Sequence, residues 1–245
     1  MKKLFVILLL LSSIVLVSCE KDGPSSTLPN NNPNTVPPII NTDSIYKPTD
    51  SLDLITGTSK GHGYVDLGLS VKWATMNLGA ESIEDYGDYY AWGEVRPKNK
   101  YDLNSYKWVS NNQEGYIKYN DVDNKTILEL SDDAANVNWG GAWRVPSVEE
   151  QKELLSKCMW KWTKRNGVSG YLVTANNGNS IFLPAGGMRI GSNMHQVGET
   201  GYYWNRSRDD KYHIYAHYNS FGVDGYDIND SYIRYFGHLI RPVLP

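Results

Sequence analysis

The amino-acid sequence predicts an α+β domain that is rich in strands and loops and contains one or two helices. Short apolar and aromatic runs alternate with Gly- and Asn-rich turns, and one segment carries clear helix-start signals. The 245 residues include 22 Gly, 22 Asn, 18 Tyr and 8 Trp, a composition typical of an aromatic, turn-rich domain. Many short strands with little helix predict the α+β class.

The overall composition excludes two classes of protein. With 40% apolar and 21% charged residues, the chain is too apolar to be disordered throughout. Its 24 Lys and Arg are outnumbered by 27 Asp and Glu, so no excess of positive charge is available to attract nucleic acid. We therefore expect a folded domain that does not bind nucleic acid.

The clearest strand signal is a hairpin formed by residues 171–175 and 180–183. The Asn176-Asn177-Gly178-Asn179 segment separates them, and its Asn-Gly pair predicts a type I′ turn. Because side chains alternate along a strand, four residues are expected to share the buried face: Tyr171, Val173, Ile181 and Leu183. Further strands are predicted at residues 64–67, 71–75, 202–206, 212–218 and 238–243.

One helix is predicted to begin after Ser147. Glu150 follows three residues later, which is the spacing of a capping box. The candidates for its apolar face are Val148, Leu154, Leu155 and Cys158. A second, shorter helix is predicted at residues 132–137.

Residues 1–18 are predicted to form a signal peptide. Lys2 and Lys3 precede an apolar run at residues 4–17, which as a helix would span about 21 Å, less than the roughly 30 Å of a bilayer core. The Leu16-Val17-Ser18-Cys19 segment resembles the bacterial lipobox, so we expect cleavage before Cys19 and acylation of its thiol. The chain is therefore expected to be anchored in the outer membrane through Cys19, at the cell surface or on the periplasmic face.

Residues 19–57 are predicted to form a disordered linker that joins the lipid to a domain at residues 58–245. Six of the 11 Pro residues and a run of Asn lie here, a composition that favours extended chain. Two tripeptides, beginning at Asp43 and Asp50, resemble the O-glycosylation acceptor of Bacteroidota. Ser44 and Ser51 are the expected glycosylation sites.

Several motifs together resemble the Fibrobacter succinogenes major paralogous domain family, which is common in Bacteroidota lipoproteins. In chain order these motifs are Gly63-Tyr-Val-Asp-Leu-Gly-Leu-Ser-Val-Lys-Trp-Ala-Thr75, Asp85-Tyr-Gly-Asp-Tyr-Tyr-Ala-Trp-Gly-Glu94, Trp139-Gly-Gly-Ala-Trp-Arg-Val-Pro146, Asn179-Ser-Ile-Phe-Leu-Pro-Ala185, Tyr202-Tyr-Trp204 and Ile240-Arg-Pro-Val243. The resemblance covers nearly the whole domain and implies a C-type-lectin-like fold. Within these motifs Trp73, Trp92, Trp139, Trp143 and Trp204 are expected to be core residues.

Catalysis is not expected. The formylglycine-generating enzymes, which the resemblance implies share this fold, use a cysteine-based copper site, and Cys158 alone cannot supply one. The sequence contains no nucleophile elbow, phosphate-binding loop or zinc-protease motif. A carboxylate pair at Asp88 and Glu94 keeps an enzyme of unknown reaction open as an alternative. No cofactor is expected.

Metal sites are also not expected. Trp204-Asn205-Arg206 places a cation where the sugar-binding calcium site of a C-type lectin requires a carboxylate. His213 and His217 are predicted to lie on one strand, about 13 Å apart and too distant for a shared zinc ion. The acidic segment with Asp224, Asp227, Asn229 and Asp230 is predicted to be a solvated turn.

The predicted binding surface consists of two loops, residues 193–200 and 206–230. They mix Tyr, Asn, Arg and Asp, and loops on a rigid scaffold usually carry recognition. The candidate ligand-binding residues are His195, Arg206, Arg208, Tyr215, Tyr218 and Tyr226. These features predict a surface-anchored, non-catalytic module for glycan or protein ligands, with a structural subunit of a cell-surface assembly as the alternative.

Overall fold

Antiparallel strands account for most of the regular structure. The computed structural model describes residues 55–112 and 114–245, with the backbone alone at residues 228 and 229. Up to residue 157 the described strands and α-helices are β1 (Gly57–Ser59), β2 (His62–Val65), β3 (Lys72–Ala74), α1 (Ala134–Trp139) and α2 (Val148–Lys157). The remaining ones are β4 (Cys158–Arg165), β5 (Val168–Ala175), β6 (Ser180–Pro184), β7 (Met188–Ile190), β8 (Asn193–His195), β9 (Thr200–Arg208), β10 (Tyr215–Gly222), β11 (Gly225–Ile233) and β12 (Val243–Leu244).

The predicted α+β class with few helices is confirmed. The strands form four antiparallel sheets: β1-β2-β3-β12, β4-β5-β6, β7-β8 and β9-β10-β11. Within the described part of the chain, no helix is both long enough and apolar enough to span a membrane. The signal peptide, Cys19, Ser44 and Ser51 lie outside the described residues, as does most of the predicted linker.

The predicted hairpin at residues 171–183 is confirmed in its register. Tyr171 pairs with Leu183 and Val173 with Ile181, and all four side chains are buried. The predicted type I′ turn is wrong, because that turn needs two consecutive positive φ angles and only Gly178 has one, at 86°. The N–H of Gly178 instead donates to the carbonyl of Ala175 at 3.0 Å, as in a three-residue loop that ends on a left-handed glycine.

Helix α2 begins where its capping signals predict. The N–H of Glu150 donates to Ser147 Oγ at 3.2 Å, and the N–H of Ser147 donates to Glu150 Oε2 at 2.8 Å, so the capping box is complete. Val148 and Leu154 are buried as expected. Cys158 is not on the helix, because the chain becomes extended at this residue and continues as β4.

Helix α1 begins later than residue 132. A 3₁₀ turn occupies Leu130–Asp132, and Asp133 caps α1 by accepting a hydrogen bond from the N–H of Asn136 at 3.0 Å. The Asp133 carboxylate also accepts from the N–H of Val145, which ties the helix start to the segment before α2.

Two clusters of buried side chains form the core. Trp73 belongs to the cluster beside β5 and β6, whereas Trp92 and Trp204 belong to the other cluster. Together with Trp143 they are buried, as expected from the motifs. The expectation for Trp139 is wrong, since its indole is half-buried and stacks on the imidazole of His62 at 3.9 Å.

Two fully buried arginines, Arg234 and Arg241, donate hydrogen bonds to segments of the fold that have little strand pairing. Nε of Arg234 donates to Tyr106 Oη at 2.9 Å, and its Nη atoms donate to the carbonyls of Lys118, Tyr119 and His213 at 2.8 Å each. These contacts hold the long segment between β3 and α1 against the end of β11.

The strand predicted at residues 238–243 is wrong except at Val243, and Arg241 holds this segment through its side chain. Its guanidinium donates to the carbonyls of Ala74, Thr75 and Phe182 and to Oδ1 of Asn77. The side chain therefore fixes a segment that has isolated bridges only, and β12 is limited to Val243–Leu244.

The segment predicted as a loop at residues 206–230 consists mainly of strands. The end of β9, all of β10 and the start of β11 form two antiparallel pairs there. The strand predicted at residues 212–218 begins only at Tyr215, because Asp209 Oδ1 accepts hydrogen bonds from the N–H groups of Lys211 and Tyr212 and holds a turn.

Candidate functional site

Two surfaces of the β9-β10-β11 sheet carry the features of a binding site. The first, here called the tyrosine face, consists of Tyr202, Tyr218, Asp230 and Tyr232, one residue on β9, one on β10 and two on β11. The ring centroids of Tyr202 and Tyr218 are 5.8 Å apart, and those of Tyr218 and Tyr232 are 6.4 Å apart. Antiparallel pairing places these rings side by side, so three strands contribute to one aromatic row.

The outer rings of the tyrosine face are accessible and the central ring is buried. Tyr232 is 40% exposed and Tyr202 is half-buried, whereas Tyr218 is 7% exposed. The hydroxyl of Tyr218 donates to Asp230 Oδ2 at 2.8 Å. Burial, together with this carboxylate, raises the pKa of Tyr218 above its ordinary range. The central tyrosine is therefore a neutral donor that orients an exposed carboxylate between two accessible rings.

An unusual histidine lies beneath the tyrosine face. His238 is fully buried, stacks on Trp204 at a centroid distance of 3.9 Å and lies 5.1 Å from the ring of Tyr218. Neither ring nitrogen has a hydrogen-bond partner. Burial lowers the pKa of His238 from 6.5 to about 3, so the imidazole stays neutral at physiological pH.

The second surface is a polar cleft with a volume of about 460 Å³, here called the Arg208 cleft. It lies between the start of α2, the end of β9, residues 209–211 and β10. Charged groups of both signs line it: Glu149, Lys152, Arg208, Asp209, Asp210, Lys211 and His217. This mixture suits a small polar ligand better than an apolar one.

Among the acidic residues that line the Arg208 cleft, Asp209 accepts the most hydrogen bonds from the protein. Burial raises its pKa, but hydrogen bonds from Ser231 and from the N–H groups of Tyr212 and Lys211 outweigh burial, and the pKa lies below its usual range. His217 contributes further stabilisation of the Asp209 charge. Asp209 is therefore ionised and its lone pairs are largely occupied by the protein itself.

The predicted ligand-binding residues do not form one site. Tyr218 belongs to the tyrosine face and Arg208 to the cleft, and both are buried in strands, which corrects their prediction as exposed loop residues. Arg206 is half-buried on β9, where one Nη donates to the carbonyl of Leu128 at 3.1 Å. Tyr215 is half-buried at the start of β10.

The other two predicted residues are exposed but lie apart from each other in the strand order. His195 ends β8, whose described partner is β7. Tyr226 on β11 is 43% exposed and contacts the half-buried Trp160 of β4 with ring centroids 5.8 Å apart. Tyr226 therefore packs over the core cluster around β4 and β5.

The acidic segment at residues 224–230 and the segment with His213 and His217 both differ from their predicted structure. Asp224 lies exposed in the turn between β10 and β11, as predicted, but Asp227 and Asp230 lie on β11, so the solvated turn predicted for them is wrong. His213 precedes β10 and lies in a turn, so the single strand predicted for His213 and His217 is also wrong. Among residues 55–112 and 114–245, no three His, Cys, Asp or Glu side chains converge as metal ligands would.

The buried Glu94 has structural partners. Its Oε2 pairs with Lys98 Nζ at 2.8 Å, and its Oε1 accepts from the N–H of Lys107 at 2.7 Å. These contacts bind residues 94–107 together. The carboxylate is therefore occupied by protein contacts, which leaves little of it for the acid pair considered with Asp88.

Several residues of the two surfaces were not among the predicted candidates. Tyr202, Tyr232 and Asp230 join the tyrosine face, and Glu149, Lys152 and His217 join the cleft. The alternation of Asp230 and Tyr232 along the sequence was the available signal for two members of the first group. The second group required knowledge of how α2 contacts the sheet.

Comparison with protein-family models, curated proteins and solved structures finds no match to this chain.

Proposed function

We propose that this chain is a non-catalytic binding module for glycans, with a C-type-lectin-like domain that presents the tyrosine face to the ligand. One observation carries the proposal: the exposed ring of Tyr232 and the half-buried ring of Tyr202 lie on either side of the hydrogen-bonded Tyr218–Asp230 pair. Aromatic rings offer flat apolar area, and the neighbouring carboxylate offers acceptors for ligand hydroxyls.

The polar groups around the rings support a hydroxyl-rich ligand. Asp230 has one carboxylate oxygen bound to Tyr218 and its other oxygen bound to the N–H of Ser231 at 2.7 Å, so its position is held from two sides. The hydroxyl of Tyr202 is hydrogen-bonded to Oε1 of Gln196 on the turn after β8. Preorganised groups of this kind lose little entropy on binding.

The proposal includes an anchor in the outer membrane through acylated Cys19, with display at the cell surface and the periplasmic face as the alternative. It rests on the lipobox resemblance and on the family resemblance of the domain. Incorporation of labelled fatty acid into the wild-type chain, but not into Cys19→Ser, is the expected result. Labelling of the Cys19→Ser chain would remove Cys19 as the anchor.

The tyrosine face is tested by glycan-array binding of the full chain and its Tyr232→Ala variant. We expect glycan hits whose affinity falls about tenfold or more in the variant, equivalent to about 1.4 kcal/mol of lost binding energy. Tyr212→Ala is the matched control, because Tyr212 is 48% exposed but lies in the turn before β10. Equal losses in both variants, or a blank array with the wild-type chain, would contradict the proposal.

One observation favours the alternative function as a subunit of a surface assembly. Strand β11 spans nine residues, and β10 is its only strand partner among the described residues. Such an edge can pair with a strand of another protein. Size analysis of the native protein after gentle solubilisation tests this function, and recovery as a monomer alone would exclude it.

A further inference from the structure

The buried arginines of the described residues fall into two groups. Arg234 and Arg241 are fully buried, and each donates four or more hydrogen bonds. Arg208 is also buried, at 4% exposed, but its side chain donates only one hydrogen bond, from Nε to the carbonyl of Lys125 at 3.3 Å. Its Nη1 is buried and has no hydrogen-bond partner.

The one ion pair of Arg208 among the described residues, with Asp121, does not satisfy its donors. Asp121 Oδ1 lies 3.9 Å from Nη1, which is too long for a hydrogen bond, and the Asp121 side chain is 76% exposed. Solvent screens an ion pair of this kind, so it contributes little. A guanidinium has five N–H donors, and burial of unused donors on a charged group is costly. Arg208 therefore combines a place in the lining of the cleft with a charged side chain whose donors are incompletely used.

The other side chains that line the Arg208 cleft are either buried in its wall or exposed at its edge. Lys152 on α2 is exposed and adds positive charge near Arg208. The imidazole Nδ1 of His217 is buried in the wall without a hydrogen-bond partner. The acids Glu149 and Asp210 are exposed, and Asp209 is already bound by its own turn. Arg208, Lys152 and Lys211 therefore place three positive charges along one cleft, beside exposed carboxylates that can accept hydrogen bonds from uncharged hydroxyls.

We propose that the Arg208 cleft binds the carboxylate of an acidic sugar of the hexuronate type. Arginine binds carboxylates through paired N–H groups, and the exposed acids suit the ring hydroxyls of the same sugar. A volume of about 460 Å³ lies in the range of small-molecule sites. The anion site stands on the contacts of Arg208, whereas the choice of a sugar as its carrier rests on the proposed function.

The test is calorimetric titration of the full chain with glucuronate, with glucose and acetate as probes for the hydroxyls alone and the carboxylate alone. We expect glucuronate to bind at least tenfold more tightly than either. Arg208→Gln should abolish this binding. Because a change at a buried position can unfold the protein, Lys152→Glu provides a second variant at an exposed cleft position, and at least a threefold loss is expected. Lys161→Glu on β4 is the matched control and should bind as the wild type does.

Several results would overturn the inference. These are absence of glucuronate binding, acetate binding as tight as glucuronate binding, and undiminished affinity in Lys152→Glu or in a folded Arg208→Gln. Tyr232→Ala separates the two proposals. If glycan binding depends on Tyr232 and glucuronate never binds, the cleft proposal fails alone. If glucuronate binds in the cleft and Tyr232→Ala has no effect on any glycan, the tyrosine face fails alone.

Discussion

The buried imidazole of His238 makes the stability of this protein depend on pH in a predictable direction. Its pKa is about 3 in the folded protein against 6.5 for an ordinary histidine, and burial is the cause. The unfolded chain therefore binds a proton at a pH where the folded protein does not. The contribution of the neutral His238 to the free energy of unfolding is fully present above pH 6.5. It is lost progressively as the pH falls toward 3.

The size of this effect follows from the pKa difference. Between these two pKa values, each unit of pH removes about 1.4 kcal/mol from the free energy of unfolding. Between pH 7.5 and pH 5.0 the loss from His238 alone is about 2 kcal/mol. This is a large part of the roughly 5–15 kcal/mol that stabilises a typical domain.

The assay is urea unfolding of the wild-type chain and of His238→Phe at pH 7.5 and pH 5.0. Phenylalanine keeps a flat ring against Trp204 and removes two nitrogens that have no hydrogen-bond partner. We expect similar stability at pH 7.5 and a variant that is about 2 kcal/mol more stable at pH 5.0.

The comparison with His238→Phe also corrects for carboxylates that titrate in both proteins. Burial raises the pKa of Asp133, for example, and that contribution is common to the two chains. An identical pH dependence of wild type and variant would refute the reasoning, because it would mean that His238 is protonated to the same extent in the folded and unfolded states.

Three further predictions concern stability, measured as the free energy of unfolding in urea. Arg234→Met leaves the buried carbonyls of the 118–119 segment and of His213 without donors and should cost at least about 3 kcal/mol; a loss below about 1 kcal/mol would show that water replaces the guanidinium. Ser147→Ala removes the cap of α2 and should cost about 1 kcal/mol, while the exposed Ser156→Ala should change little. Gly170→Ala places a methyl group 2.4 Å from the carbonyl oxygen of Leu183 and should cost about 1–3 kcal/mol, and wild-type stability of this variant would contradict so close an approach of β6 to β5.

The features that the sequence predicts correctly depend on near neighbours in the chain. The capping box of Ser147 and Glu150 spans three residues, and the register of the hairpin at residues 171–183 follows from strict alternation across a short loop. Both signals lie within a short stretch of chain. Local chemistry is sufficient to determine such elements without any knowledge of the rest of the fold.

The functional surfaces could not be predicted in the same way, because they depend on distant contacts. Arg206 and Arg208 look alike in sequence, and each has a buried guanidinium nitrogen without a hydrogen-bond partner. Only Arg208 is deeply buried and lines the cleft, where residues from α2 and β10 meet the end of β9. Tyr218 resembles the exposed Tyr226, yet pairing with β9 and β11 covers its ring. Tertiary packing, rather than composition, decides which tyrosines a ligand can reach.

The way Arg234 holds the irregular segment between β3 and α1 has a consequence for how the protein can diversify. Two of its four hydrogen bonds go to main-chain carbonyls of this segment, those of Lys118 and Tyr119, which every amino acid provides. Substitutions at exposed positions of that segment, such as Ile117, leave these acceptors in place. Substitutions at such exposed positions should therefore change the surface chemistry of the loop without removing the contacts that hold residues 118–119.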